Sequence, residues 1–212
     1  MTYLFNRAAQ LAPGNLLDSM AWAVKMTEKV NAVADIEVRL WTSVLSPRVN
    51  TLPWSSVVED LAALMTAEEK LLADSGYIDL AEEGTRFNSG DGFDDTLVRL
   101  VHVDADGAGS AQYATLTTTT VAPGMTATAM ALGIEMAQRI RSVTGRPTQF
   151  GSSVTGPFGQ VGFIILSDTI EQVQANGEAL AADADWLAML DERASKAFIP
   201  DSGERRISRR IL

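Results

Sequence analysis

One motif occurs twice in this chain and constrains nearly everything else. At 3–33 a short aromatic-bearing run closes on Leu11-Ala12-Pro13-Gly14 and gives way to apolar residues three and four apart; at 113–143 a Thr-rich run closes on Val121-Ala122-Pro123-Gly124 and does the same. A short run ending at Pro-Gly predicts a strand. The stripe Leu16, Met20, Ala23, Met26, Val30 and Val33 predicts a helix of about five turns. At the same offset of 110 residues Tyr3/Tyr113, Met20/Met130, Met26/Met136, Ser43/Ser153, Pro47/Pro157 and Arg99/Arg209 are identical. The matches fall on turn, stripe and hairpin, where backbone and core geometry restrict the residue. Two long copies signal a duplicated domain and not a solenoid: 1–103 and 112–212, joined by an Asp/Gly/Ala/Ser linker at 104–111.

Between the motifs, 36–44 alternates as a strand, with Val38 and Leu40 on one face and Glu37, Arg39, Trp41 and Ser43 on the other. The run 49–54 reads as a poorer strand, because Pro53 cannot donate to a ladder and suits an edge or strand end. Ser55 or Ser56 is expected to cap a helix with the stripe Val58, Leu61, Met65 and Leu72. A short helix at 77–87, a Gly/Asp surface loop at 88–95 and a strand at 96–103 complete the first half. The second half repeats the order: strands at 149–154 and 160–166, a helix capped by Ser167 or Asp168, a short helix at 185–198 and a strand at 206–212. Its third strand drifts by two residues from the common offset.

Charge and residue usage exclude several functions. With 27 acidic against 17 basic residues and a net charge of -10, phosphate backbones and anionic membranes are repelled at long range, so neither nucleic acid nor membrane is an expected partner. Acids gather between Glu59 and Asp106. Arg205, Arg206, Arg209 and Arg210 crowd the last strand, which reads as an edge strand protected by charge. With no Cys, no long apolar run and no signal-peptide pattern at Met1, the expected address is cytoplasmic and disulfides are excluded. One histidine, His102, gives no metal constellation, and it reads as an ordinary strand residue.

The predicted fold class is α+β: two fused ferredoxin-like βαββαβ units, each an antiparallel sheet with both helices on one face. Strands at 97–103 and 162–166 are apolar on both sides, so the second sheet face must also be buried. Packing the sheets face to face gives a pseudo-dimeric α/β barrel. On its two strand-(Leu/Val)-Ala-Pro-Gly-helix openings and repeated element order, the chain resembles the dimeric α/β-barrel superfamily. Within it, the resemblance is to the antibiotic-biosynthesis-monooxygenase-like and NIPSNAP-like groups, in a tandem duplicated form.

That resemblance implies a small apolar or aromatic partner held between sheet and helices, with a homo-oligomer allowed. It includes enzymes that oxidise aromatic polyketides with no cofactor or metal, and none is expected here. Haem-degrading members pair a strand-one Asn with a haem-ligating His; Asn6 matches the Asn, but the His is missing. The candidate pocket is in the first half. Asn6 and Arg39 are the catalytic candidates, orienting or polarising an oxygen, with Trp22, Glu37, Trp41, Trp54 and Tyr77 as substrate-binding walls. The positions 116, 132, 149, 151 and 164 of the other half are Leu, Leu, Gln, Gly and Ile. The plainer readings are packed tryptophans and a mutual Glu37–Arg39 ion pair. No GxSxG, HExxH, P-loop or dinucleotide fingerprint occurs, so three functions stay open: a cofactor-independent monooxygenase or tailoring enzyme, a non-catalytic NIPSNAP-like binding or stress-related protein, and a duplicate with a collapsed cavity.

Overall fold

The computed structural model describes residues 1–47, 49–104 and 109–212, with the backbone alone at 90 and 91. Most of the expected linker, 105–108, lies outside the described residues. Its flanks are tied to the second half: Thr148 N–H donates to the Asp104 carboxylate at 3.0 Å, and Arg210 donates to the Gly109 carbonyl at 2.7 Å.

In chain order the elements are β1 (Thr2–Leu11), α1 (Leu16–Val33), β2 (Val38–Leu45), β3 (Thr51–Val58), α2 (Leu61–Leu72), α3 (Ser75–Gly84) and β4 (Asn88–Val103). There follow β5 (Tyr113–Thr120), α4 (Thr126–Thr144), β6 (Thr148–Ser153), β7 (Gln160–Ser167), α5 (Ile170–Ala182), α6 (Ala184–Met189) and β8 (Glu204–Arg210). All pairings are antiparallel, and the strands close one eight-stranded barrel in the order β1-β3-β2-β8-β5-β7-β6-β4. The chain is therefore α+β with a closed antiparallel barrel. Both Pro-Gly turns bend through a left-handed glycine, Gly14 at φ 111° and Gly124 at φ 78°, a conformation that disfavours any residue with a Cβ. No helix among the described residues is long and apolar enough to cross a membrane.

Several local expectations change. The 88–95 segment is not a surface loop: it is the first part of β4, laid along β1 from Leu11↔Asn88 to Arg7↔Asp95 with a bulge between Ala9 and Leu11. Its glycines and aspartates disfavour a strand, but the hydrogen bonds offered by β1 outweigh that preference. β3 is an inner strand that runs through Pro53. Its ladder with β2 stops at Leu40↔Trp54, so the N–H missing from position 53 is not needed on that side. Ser55 and Ser56 lie inside β3, and Asp60 caps α2 by accepting from Ala63 N–H at 2.8 Å. Likewise Thr169 caps α5. β8 is no charge-protected edge; it lies between β2 and β5. The third-strand offset is 109, since Tyr3↔Val58 recurs as Tyr113↔Ser167.

The helix stripes rotate as well. α1 buries Ser19, Trp22, Ala23, Met26 and Thr27, while Leu16 is half exposed. Two of those residues are polar because their hydroxyls donate back to carbonyls one turn earlier, Ser19 to Asn15 at 2.8 Å and Thr27 to Ala23 at 2.7 Å. α2 buries Ala67 and Leu71 and leaves Leu61, Met65 and Leu72 exposed, so the expected stripe is not its packed face.

The two halves fill their cores differently. In the second, Phe150 and Phe163 lie 4.7 Å apart between β6, β7 and α4, and a Cβ at Gly133 would overlap the Phe150 ring. In the first, the strand position matching Phe150 is Leu40, and the bulk comes from the helix: the Trp22 indole packs where a Cβ at Gly84 would be. A Gly84→Ala substitution drives a methyl into that indole and is expected to cost about 1–3 kcal/mol in urea unfolding. An unchanged midpoint would show that Trp22 is not held there.

Candidate functional site

Between the first-half sheet and helices α1, α2 and α3 lies a pocket of about 200 Å³. The sheet supplies its floor, because alternation along each strand aims every second residue at the helices: Phe5 and Arg7 from β1, Trp54 from β3, Phe93 and Asp95 from β4. The walls are Trp22 and Met26 on α1 and Tyr77 and Ala81 on α3. α2 covers the pocket with Leu64, Ala67 and Leu71, and its half-exposed Met65 stands at the mouth.

The aromatic residues form a connected set. Trp22 meets Trp54 edge-on at 6.0 Å and Phe87 at 5.7 Å, and Trp54 meets Phe93 at 6.2 Å. Each indole N–H is satisfied within the protein: Trp22 donates to the Leu80 carbonyl at 2.8 Å and Trp54 to the Thr27 hydroxyl at 2.9 Å. The tryptophans therefore present apolar ring faces to the pocket and have no polar demand of their own.

One ion pair stands in this apolar setting. Arg7 donates from Nε and Nη2 to the two Asp95 oxygens, both at 2.7 Å, in a bidentate fork. Its guanidinium also lies 5.7 Å from the Phe5 ring and 5.6 Å from the Phe93 ring. The Asp95 hydrogen bond raises the Arg7 pKa above its ordinary value against the opposing effect of burial, and the charge of Asp95, with Tyr77 and Glu68 nearby, adds to the rise. Arg7 is thus a fixed cation at any working pH.

Of the residues expected from sequence, the pocket gathers Trp22, Trp54 and Tyr77. It does not gather Asn6, Glu37, Arg39 or Trp41. Asn6 alternates with Phe5 and Arg7 and so points to the opposite face of the sheet, opposite Ser55 and Thr96. Arg39 and Trp41 alternate with the buried Leu40 and share that opposite face, where the Trp41 indole donates to Ser55 Oγ at 2.9 Å. Glu37 sits at the rim and pairs with Arg39 at 2.8 Å, which holds its carboxyl below the usual range. The seven candidates therefore do not line one pocket: the sheet separates Asn6, Arg39 and Trp41 from Trp22, Trp54 and Tyr77, and Glu37 stands at the rim. His102 lies on β4 opposite Phe150, outside the pocket, with Nε2 3.4 Å from Asp104. No cluster of three or more metal-ligating side chains occurs among the described residues.

The residues missed from sequence are Arg7, Asp95, Phe5 and Phe93. A signal for Arg7 was present: it occupies the same strand face as Phe5 and Ala9, a charge in an apolar register. The corresponding pair in the second half, by register, is Thr117 and Arg205, where Arg205 donates to the Thr117 hydroxyl at 3.2 Å.

Comparison with known proteins agrees on the fold. No protein-family model matches the sequence, and no curated protein matches it. Among solved structures, a putative monooxygenase from Fusobacterium nucleatum superposes with a TM-score of 0.72 at 9% identity, covering 100% of this chain and 93% of the other. A putative monooxygenase from Lactobacillus acidophilus gives 0.67 at 11% identity, covering 99% and 93%. An anthrone oxidase-like protein gives 0.66 at 12% identity, covering 100% and 91%. The chain therefore shares its fold, a closed antiparallel eight-stranded barrel, with these structures.

Tyr77 is positioned by Asp74, whose carboxylate accepts from Tyr77 N–H at 2.8 Å and pairs with Lys29 at 2.7 Å. The Lys29 hydrogen bond, then the backbone bond from Tyr77, lower the Asp74 pKa below its ordinary 3.8. A lowered carboxylate pKa stabilises the fold above the unfolded value, and that contribution is lost as pH falls through the folded value. Asp74→Asn is therefore expected to lower the urea midpoint at pH 7, with the difference from wild type shrinking below pH 3.8 and vanishing once the folded carboxyl is protonated. A difference that persists undiminished into strong acid would contradict this role.

Proposed function

We propose that this chain is a small-molecule-binding α/β-barrel protein built from two fused ferredoxin-like units, and that the first unit carries a cofactor-independent monooxygenase or tailoring reaction on a small aromatic substrate. The observation that carries this reading is the aromatic-lined pocket in one half, at the place where the other half is filled by Phe150 and Phe163. The neighbouring monooxygenase-like structures agree with it.

The size of the pocket restricts the substrate. About 200 Å³ is below the ~300–1,000 Å³ of common ligand sites, which suits one or two fused rings better than three. Ring faces of Trp22, Trp54 and Phe93 sandwich or edge such a molecule, and the water they exclude strengthens every charge interaction inside. For an activated methylene the reaction balances with dioxygen as the only co-reactant. The substrate loses a proton, the carbanion adds O₂ and regains a proton as a hydroperoxide, and loss of the second proton from the same carbon with O–O cleavage leaves a carbonyl and hydroxide, which combines with that proton as water. One oxygen atom enters the product and the other leaves. The protein's part in such a reaction is position and electrostatic stabilisation.

A second reading, non-catalytic binding of the NIPSNAP-like kind, is favoured by the mutual satisfaction of Arg7 and Asp95, which takes Asp95 out of use as a base. Oxygen uptake and product mass, measured on one- and two-ring quinols and on anthrone against protein-free blanks, separate the two. The first reading predicts turnover above the blank, greater for two rings than for three, and abolished by the pocket-filling Ala81→Phe variant while its fold is retained. Binding with no turnover on any substrate supports the second reading. Turnover untouched by Ala81→Phe would place the reaction elsewhere.

A further inference from the structure

The guanidinium of Arg7 has five N–H donors in a rigid plane. Two of them, on Nε and Nη2, are used by Asp95. The other three have no acceptor among the described side chains and carbonyls, although Arg7 lines the pocket and its side chain is only 35% exposed. The plane is also fixed. Asp95 grips one edge bidentately, and the rings of Phe5 and Phe93 lie near the guanidinium at 5.7 and 5.6 Å. A cation with one edge committed and the other open, at the floor of an apolar pocket, is a recognition element for an oxygen acceptor.

The other half supports this assignment by contrast. At the register-equivalent place Thr117 stands for Arg7 and Arg205 for Asp95; the core beside them is closed by Phe150 and Phe163. The strand-one cation occurs where the space is open, and a threonine takes its position where the space is filled. A guanidinium serving only to bind Asp95 has no reason to follow the pocket in this way.

We propose that Arg7 is the oxygen anchor of the pocket, and that its ligand is a planar one- or two-ring aromatic molecule carrying an enolate, phenolate or carboxylate oxygen. This rests on the pocket reading above and adds the polar group its substrate must carry. Arg7 is the residue that touches ligand; Asp95 is a positioning residue that sets the plane of the fork. Ring burial against Trp54 and Phe93 supplies sequence-independent apolar attraction, and the Arg7 edge supplies discrimination for the oxygen. Glu68 and Asp95, the other charged groups lining the pocket, repel an anion placed anywhere but at that edge.

The test uses the full chain, ¹⁵N-labelled, titrated with naphthalene and with 2-naphthoate while the Trp22 and Trp54 indole N–H signals and the Arg7 Nε–H signal are followed by NMR. In wild type both probes are expected to shift the two indole signals. 2-Naphthoate should bind about tenfold or more tightly than naphthalene, as one charge-assisted hydrogen-bond pair provides, and it alone should move the Arg7 signal. The variant Arg7→Gln/Asp95→Asn replaces the ion pair by a neutral one, so no uncompensated carboxylate is left to repel the probe. It should bind both probes within about threefold of each other, with naphthalene affinity unchanged. Equal wild-type affinity for the two probes, an Arg7 signal indifferent to 2-naphthoate, or a preference that survives in the double variant would each overturn the anchor while leaving the pocket standing. If neither probe moves the indole signals, the pocket reading fails and the anchor with it. The Arg7 signal in wild type decides the matter even if the double variant does not fold.

Discussion

Two seams hold this molecule together, and the rest of the structure depends on them. β8 bonds to β5 on one side and to β2 on the other, and β4 joins β1 to β6, so the hydrogen-bonded ring has no free edge. An antiparallel four-stranded sheet with helices on one face leaves its second face and two edges exposed. Closing the ring removes all three liabilities at once and forces the helices to the outside. The backbone continues past the named end of β8 to complete the seam: Ile211 N–H donates to the Leu40 carbonyl at 2.8 Å, and Leu40 N–H to the Leu212 carbonyl at 3.0 Å. Ile211 then packs against the first-half core.

With the barrel fixed, what distinguishes the halves is which side supplies the bulk between sheet and helix. Phe150 reaches up from β6 to Gly133 and fills the space between that strand and α4. In the first half Leu40 is too short to do so, and Trp22 reaches sideways to Gly84, leaving the room over Phe5, Arg7 and Trp54. A cavity of this kind lacks the dispersion contacts of a packed core, at a cost of about 24 cal/mol per Å³ in cavity-forming substitutions. Over that space α2 buries only Ala67 and Leu71 and leaves Leu61, Met65 and Leu72 in contact with water.

Much of this was legible in the sequence. The two Pro-Gly turns, the element order and the two-sided apolar strands pointed to a barrel made by one chain, because backbone conformation and burial impose patterns that survive without knowing the partner strand. The candidate site was legible only in part. Trp22, Trp54 and Tyr77 were found as large aromatics on the half with better-furnished positions. Asn6, Arg39 and Trp41 were grouped with them because alternation reveals that a strand has two faces, and in a closed barrel both faces are covered; nothing local tells the helix side from the interior. Phe93 and Asp95 were hidden in a Gly/Asp-rich segment whose strand form is imposed by β1, and with Asp95 unseen the purpose of Arg7 was invisible too. The polar Ser19 and Thr27 obscured the buried face of α1, since their back-bonded hydroxyls break the apolar stripe without leaving the core.

The central claim is that one half of the barrel keeps an aromatic-lined space on the helix side of its sheet for a small planar ligand. A crystal structure of the protein soaked with a two-ring aromatic carboxylate addresses it most directly. The account predicts the ligand between the sheet and α2, in contact with Trp22, Trp54 and Phe93 and with its oxygen toward Arg7. Ligand found inside the barrel against Asn6 and Arg39, or between α4 and β6 in the second half, would contradict it.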